Sequence, residues 1–448
     1  MKASSRNLTE GNIILQLLSV ALPILLAQLL QNLYNSVDSL IVGNFLGTVA
    51  MAALTASSEI SNLIITFFVG LSAGSGVVFA SYYGAKDQEN LHKSIHTAIT
   101  MAVIMGIVMA TLGIVFAPAM LRMVECPDDV FDSAVIYLRV YLIGVFFTSL
   151  YNVATGVLRA VGDTKTPLYY LVIACVTNIA LDLFFVLIIP LGIFGVALAT
   201  IMAQSLTVVL VYGKMMRSND VYRLCLSDLH VDRAIMLRVL KLGLPAAIQS
   251  CMVSFSNLFV QRYVNLFGSS AMAGVGAASK INKYVSEVAK SLGTSAMIFI
   301  SQNLGAGKTK RAYAGIRSAI LISVVGIAAM GIPIYYGAPM LVGLFLKEPA
   351  AIQSGVLMVS TIVPWYYQQS TYQILVNSIR GFGYSTTAMV TMMSGLIVCR
   401  QIFLAIAMPL TDNVHTVFIS YPVGWGSTVV ISTLVFWFIV RKKMPKES

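Results

Sequence analysis

Long apolar runs recur along the chain, each separated from the next by a short polar break. A helix needs roughly 20 apolar residues to cross the hydrocarbon core of a bilayer. Twelve runs meet that length: 13–42, 48–82, 91–117, 131–156, 168–189, 195–216, 236–266, 271–302, 312–337, 351–378, 386–408 and 415–440. They predict an all-α polytopic membrane protein with twelve transmembrane helices. The first run spans about 30 residues, too long for the apolar core of a cleavable signal, and polar "MKASSRNLTEGN" precedes it.

Polar residues that break the pattern from inside a run stand out. "LYNSVDSLIVG" (33–43) places Asp38 within the first run. A carboxylate near the bilayer centre costs roughly 2.5–3.5 kcal/mol even on insertion scales, so Asp38 is expected to carry function.

Charge adds topology. Only 10% of residues are charged, against about 25% in soluble proteins. A net charge of +11 would suit nucleic acid, but its distribution argues otherwise. Of the 29 Lys and Arg residues, 21 fall in one set of loops. The opposite loops hold only Arg122 and Lys347, and six lie within runs: Arg139, Arg262, Lys280, Lys283, Lys290 and Arg400. The positive-inside rule then places both termini and the 217–235 linker in the cytoplasm. A multi-pass protein of the cytoplasmic membrane is expected, with no nucleic-acid partner. The five cysteines are scattered without a CxxC, and His92, His96, His230 and His415 fall at or near loops. Neither a disulfide framework nor intramembrane metal chemistry by these residues is expected.

The chain repeats itself at an offset of 221. "LGTVAMAALTASSEI" (46–60) matches "FGSSAMAGVGAASKI" (267–281), and "YYGAK" (82–86) matches "NLGAG" (303–307). "YNVATGVLRAVG" (151–162) matches "YQILVNSIRGFG" (372–383), aligning Arg159 with Arg380. Each half therefore holds six spans. An even number preserves orientation, so the repeats are parallel, two pseudo-symmetric six-helix bundles. The expected domains are an N-lobe of spans 1–6 (1–216), a cytoplasmic linker (217–235) and a C-lobe of spans 7–12 (236–448). Such an architecture suits a transporter better than a channel, since no selectivity-filter loop is visible.

Several motifs carry a family resemblance. "LPILLAQLLQNLYNSVDSLIVGNFLG" (22–47), "GLSAGSGVVFASYYGAKD" (70–87), "LRAVGDTKTP" (158–167), "NIALD" (178–182) and "GIFGVALAT" (192–200) resemble the multidrug and toxic compound extrusion family. "LGLPAAIQS" (242–250) and "SQNLGAGKTKRA" (301–312) look like its second-half copies. The resemblance implies a twelve-helix exporter of small organic molecules, working by antiport with H+ or Na+ through alternating access of two lobes. It implies no cofactor beyond the coupling ion, a small-molecule substrate, membrane lipid as the other partner, and a monomer. A lipid or lipid-linked sugar flippase of the same superfamily is the alternative. An intramembrane enzyme is disfavoured: there is no HExxH, no Ser–His pairing and no aspartate-rich motif, so no catalytic residue is assigned.

Depth groups the polar residues. Asp38 lies about five residues before the end of span 1 and Asp182 about seven before the end of span 5. At about 1.5 Å per residue, both sit roughly 7–12 Å below the outer boundary. Thr200, about five residues into span 6, has similar depth, and Asn178 precedes Asp182 by one turn on the same face. Two carboxylates, an amide and a hydroxyl offer hard oxygen ligands to Na+, or the acids can carry a proton. The resemblance implies that Asp38, Asn178, Asp182 and Thr200 form the N-lobe ion site, and metal binding other than Na+ there is not expected. One branch of the family also uses acids in spans 7 and 10. Here "AAIQSCMVSFSNLFVQRYVNLF" (246–267) and "PWYYQQSTYQILVN" (364–377) have none, so the chain looks closer to the branch with its cation site in the N-lobe.

The C-terminal half is basic instead. Lys280, Lys283, Glu287 and Lys290 are spaced 3, 4 and 3 in "SKINKYVSEVAKSLG" (279–293), which puts them on one helical stripe. Lys283 is expected to pair with Glu287, with Lys290 sharing the carboxylate. The offset maps Glu59 onto Lys280, so opposite charges occupy equivalent positions. These five residues, with Gln369, Gln373, Asn377 and the deep Arg400, are candidates for lining a substrate cavity that accepts anionic or zwitterionic molecules. Pro23 and Pro245 are repeat-equivalent and each removes a helix hydrogen bond.

Overall fold

The structure, a computed structural model, describes residues 7–124 and 126–440, and only the backbone of Glu59, Ile439 and Val440. Among the described residues every regular element is helical. In the first half, α1 (Ile13–Ile41) runs on through a π turn at Val42–Leu46 into α2 (Gly47–Gly84). Then come α3 (Gln88–Met123), α4 (Asp128–Ala160), α5 (Lys165–Leu183) with a π turn at Phe184–Ile188, and α6 (Gly192–Arg217). The second half holds α7 (Arg233–Asn265), α8 (Gly268–Gly305), α9 (Thr309–Tyr336) and the short α10 (Ala338–Gly343). The tenth run is split into α11 (Pro349–Ile362) and α12 (Tyr366–Gly381) by a 3-10 turn at Val363–Trp365. The eleventh is split into α13 (Ser385–Met393) and α14 (Arg400–Thr411) by a π turn at Ser394–Cys399, and α15 (Val414–Val435) runs on into a π turn at Phe436–Val440.

The helices outrun the apolar stretches that predicted them, because polar ends extend them at the membrane surface. The α3 start is one case: Asp87 accepts a hydrogen bond from the Asn90 backbone N–H (3.1 Å), an N-cap that satisfies one of the free donors of the first turn. The tenth run breaks at Pro364, which has no N–H to give the helix ladder.

The repeat is physical. α2 and α8 begin and end 221 residues apart, and Gly47 and Gly268 before their first turns both take positive φ (81° and 85°). α4 is matched at the same offset by α11 plus α12. Pro23 and Pro245, however, are 222 apart. The first half thus holds one extra residue between Pro23 and Gly47, and the π turn at Val42–Leu46 absorbs it, as a π turn is the widened loop that one inserted residue makes in an α-helix. In the second half α7 ends at Asn265, and a two-residue turn, Leu266–Phe267, leads into α8 with no π turn. In the fifth and eleventh runs both halves have a π turn, but at different points: Phe184–Ile188 against Ser394–Cys399. Between those points the halves again correspond at 222.

Two compact units form. One holds Leu26–Ala247, the other Leu8–Leu25 together with the chain from Ile248. α1 and α7 are each divided between units, two residues beyond Pro23 and Pro245. In the first unit α4 is central, packing on α2, α3 and α6, with α5 against α6. In the second, α8 packs on α9, α11 and α12, and α15 on α12 and α14. Lipid offers no hydrophobic drive for these contacts, so small residues that admit close backbone approach hold helices together. A Cβ at Gly74 would fall 2.2 Å from the Gly243 Cα. Nine helical runs among the described residues are long and apolar enough to cross a membrane, the first of them comprising both α1 and α2. The charged α8 and the broken tenth run fall outside that count for the reasons of sequence just given.

Candidate functional site

The first unit gathers a polar group inside an apolar shell. α1 supplies Tyr34 and, one turn on, Asp38; α4 supplies Tyr137 and Tyr141; α5 supplies Asn178 and Asp182; α6 supplies Thr200. The i,i+4 spacing puts each same-helix pair on one face. Asn178 and Asp182 are 0% exposed, Thr200 2% and Asp38 8%. Around them pack Ile41, Val42, Leu54, Val186 and Val196.

Asp38 and Asp182 are electrostatic neighbours in this group. A proton or a cation taken up there would relieve the repulsion between the two carboxylates. No backbone or other side-chain donor reaches Asp38 Oδ1 or either Asp182 oxygen, and both polar atoms of the Asn178 amide are without a partner. The Thr200 hydroxyl donates to the Val196 carbonyl (3.1 Å) and accepts from the Tyr34 hydroxyl (3.3 Å). The Tyr137 and Tyr141 rings stack, centroids 5.8 Å apart, and with Tyr34 they lie close enough to Asp38 to feel its charge. Buried polar atoms in native proteins are almost always paired. Five orphaned atoms on three neighbouring side chains therefore fit a transient occupant. The donor set, all oxygen apart from one amide nitrogen, fits a proton held between the acids or a hard monovalent cation.

Sequence reasoning missed the three tyrosines. Their signal was the spacing: Tyr34 is one turn from Asp38, and Tyr137 and Tyr141 are one turn apart.

The basic candidates are dispersed in the second unit. Glu287 is buried and pairs with Lys290 (3.0 Å) rather than with Lys283. The i,i+3 partner lies closer along the stripe. Lys280 and Lys283 are exposed, and the Lys280 ammonium sits 5.1 Å from the Phe345 ring centroid. Glu59 falls in α2, but its side chain lies outside the described residues. Gln369 is buried and donates to the Ser286 hydroxyl (2.7 Å), while its Oε1 is unpartnered. The Asn377 amide donates to the Gln373 carbonyl (2.8 Å) and accepts from Arg380 Nη1 (2.9 Å). Arg380, buried, also donates to Gln249 Oε1 (2.8 Å). Arg400 is 4% exposed and donates to Ser256 and Asn257 of α7 (2.8 and 3.1 Å).

A further cluster sits where the loop after α6 meets α3. His92 Nε2 lies 3.0 Å from Asp228 Oδ2, and the His92 and His96 rings are 4.0 Å apart. His96 Nδ1 donates to the His92 carbonyl (2.8 Å), and its Nε2 accepts from the Cys225 N–H (3.1 Å). With both His96 nitrogens engaged by backbone, the cluster works as a clasp on the loop.

Comparison with known proteins places this geometry. The family model described as MatE matches the chain twice, over residues 23–184 and 245–406. The two segments are 222 residues apart, the register of the proline pair. The probable multidrug resistance protein YoeA of Bacillus subtilis (strain 168) is 29% identical over 432 residues, covering 94% of this chain and 93% of that protein. The probable multidrug resistance protein YpnP of the same organism is 28% identical over 351 residues, 78% of each. A solved outward-facing structure of a multidrug resistance MATE family transporter superposes with a TM-score of 0.92 at 21% identity, covering 99% of this chain and 100% of that one. The chain belongs to the MatE family, whose members are transporters and not enzymes, and it shares the fold of twelve transmembrane helices in two repeats.

Proposed function

We propose that this chain, a transporter by family, exports small organic molecules across the cytoplasmic membrane by antiport with H+ or Na+, through alternating access of an N-lobe (1–216) and a C-lobe (236–448). The observation that carries the reading is the orphaned acid pair Asp38–Asp182 beside Asn178 in the first unit. The names of the relatives support multidrug export as the direction and substrate range. The one-sided distribution of Lys and Arg supports cytoplasmic termini, and a monomer in lipid is the working form.

In this reading the Asp38–Asp182 pair takes up and releases the coupling proton, or, ionised, holds Na+ with the Asn178 and Thr200 oxygens. Tyr34 keeps the Thr200 hydroxyl oriented. Coupling follows when ion and substrate bias the same lobe equilibrium in opposite directions. Two unit charges about 4 Å apart interact by roughly 4 kcal/mol at an effective dielectric of about 20, close to a thousandfold in affinity.

Purified protein in proteoliposomes tests it, with dye efflux driven by a pH gradient or a sodium gradient imposed separately. Asp38→Asn is expected to express and insert normally and to lose gradient-driven efflux. Wild-type gradient dependence in that variant would refute the assignment.

A further inference from the structure

The second half keeps the frame of the ion site and changes its chemistry. The π turns fix the correspondence. At 222 residues, Tyr34 maps to Ser256, Asp38 to Val260, Asn178 to Arg400 and Asp182 to Leu404, and past the π turn at Phe184–Ile188 Thr200 maps to Tyr421 at 221. Val260 and Leu404 are 1% and 0% exposed. Where the first half has a buried acid pair, the second has a buried apolar pair. Where the first half has a neutral amide, the second has a guanidinium.

The guanidinium has only neutral company. Arg400 Nη2 donates to Ser256 Oγ and Asn257 Oδ1, and the guanidinium carbon lies 5.4 Å from the Tyr421 ring centroid. Three of the mapped positions thus converge again on one another in the second unit. Arg400 Nε is buried with no acceptor. Among the described residues of α7–α15 the acids are Glu287, Glu348 and Asp412. Glu287 pairs with Lys290, Glu348 accepts from Ser270, and Asp412 turns the chain between α14 and α15. None forms an ion pair with Arg400. A second guanidinium, Arg380, binds Gln249 two turns earlier on the α7 stripe of Ser256 and likewise lacks an acid.

A buried cation without a counter-charge is costly, and arginine presents its donors in a planar fork that matches carboxylate and phosphate oxygens. Asn257 is exposed, so the guanidinium lies one side chain beneath the accessible surface. We propose that Arg400, with Ser256, Asn257 and Tyr421, is an oxyanion site in the second unit that receives the carboxylate or phosphate of an organic anion. The first half takes the coupling cation; its copy takes the charged end of the substrate. The inference rests on the transporter reading for the word substrate, but equilibrium binding and coupled flux fail separately.

The test is thermal unfolding of the purified full-length protein in neutral detergent at constant ionic strength. The probes are benzoate, phenyl phosphate, benzamide and inorganic phosphate. A ligand that binds the folded state raises the melting temperature in proportion to the logarithm of its saturation. Benzoate and phenyl phosphate are expected to stabilise wild type, and benzamide to have no effect. Arg400→Gln is expected to bind at least tenfold more weakly, with Arg400→Lys in between. Should Arg400→Gln not fold, Ser256→Ala and Tyr421→Phe are each expected to weaken binding about threefold or more. Stabilisation that survives Arg400→Gln, or weakening by neither neighbour variant, overturns the site. Inorganic phosphate producing the whole effect of phenyl phosphate overturns the organic substrate. Anion binding lost while Asp38-dependent efflux persists removes this inference and leaves the transporter reading standing.

Discussion

Three glycines of α2, within seven residues, make a controlled experiment in helix packing. A Cβ added at Gly74 would sit 2.2 Å from the Gly243 Cα and backbone N of α7. At Gly70 it would meet Ala247 Cα at 2.5 Å, and at Gly76 it would meet nothing within 4 Å. Ordinary carbon contacts lie near 3.5–4.0 Å, so Gly74→Ala must part α2 from the first turns of α7 by about 1.5 Å. Alanine gains about 1 kcal/mol over glycine in a helix interior, and that gain applies at all three positions. Overpacking costs about 1–3 kcal/mol and applies only where backbone stands in the way. Gly76→Ala is therefore expected to stabilise by up to about 1 kcal/mol, and Gly74→Ala to destabilise by up to about 2 kcal/mol. The gain is common to both variants, so they differ by the overpacking cost, and at roughly 2–4 °C per kcal/mol for a unit of this size they should melt about 2–12 °C apart in detergent. Gly74→Ala combined with Gly243→Ala should cost less than the two singles together, because one widened gap serves both. If Gly74→Ala melts as high as Gly76→Ala, close backbone approach does not hold α2 to α7.

Asp163→Ala removes the buried carboxylate that receives the Thr166 N–H (3.1 Å), the Thr166 hydroxyl (2.7 Å) and Lys214 (3.1 Å). Because Lys214 is a quarter exposed and keeps water, the loss should be about 2 kcal/mol rather than the value for a fully buried pair, read as a lower melting temperature. Asp87, held below the usual carboxylate range first by the Asn90 side chain and then by its backbone N–H, stabilises α3 fully above that range and loses the effect as pH falls through its own titration. Asp87→Ala should accordingly lower the melting temperature at pH 7, and the gap to wild type should close in acid.

Hydrophobic length made twelve spans legible, since each apolar run had nowhere stable to lie except across a bilayer. Identities at one offset made the duplication legible. The π turns were legible only as an inconsistency, Pro23 and Pro245 at 222 against 221 elsewhere, because hydropathy does not register a single inserted residue. The changeover of α1 and α7 between units left no mark in composition, for it depends on backbone contacts such as Gly74 with Gly243. At the candidate site, Asp38, Asp182 and Arg400 drew attention through the cost of charge at depth. Their neighbours did not, because Tyr34, Ser256 and Tyr421 are ordinary residues in membrane helices until tertiary structure sets them beside a charge. The α8 stripe misled in one respect: spacing allowed Glu287 two lysines, and rotamer geometry chose Lys290.

The π turn at Val42–Leu46 has a consequence for how such halves drift apart. One residue turns an α-helix by about 100°. Left in the α-helix, one codon inserted between Pro23 and Gly47 would swing the stretch holding Asp38 by that angle relative to α2; taken up in the π turn, it leaves the facing of both stretches, the helix count and the membrane crossing unchanged. Duplicated genes are usually pictured as diverging by exchange of side chains. Here the exchange of Asp38 for Val260 and of Asn178 for Arg400 is accompanied by a change of length that the π turns contain, so the exchanged side chains keep their places in the frame.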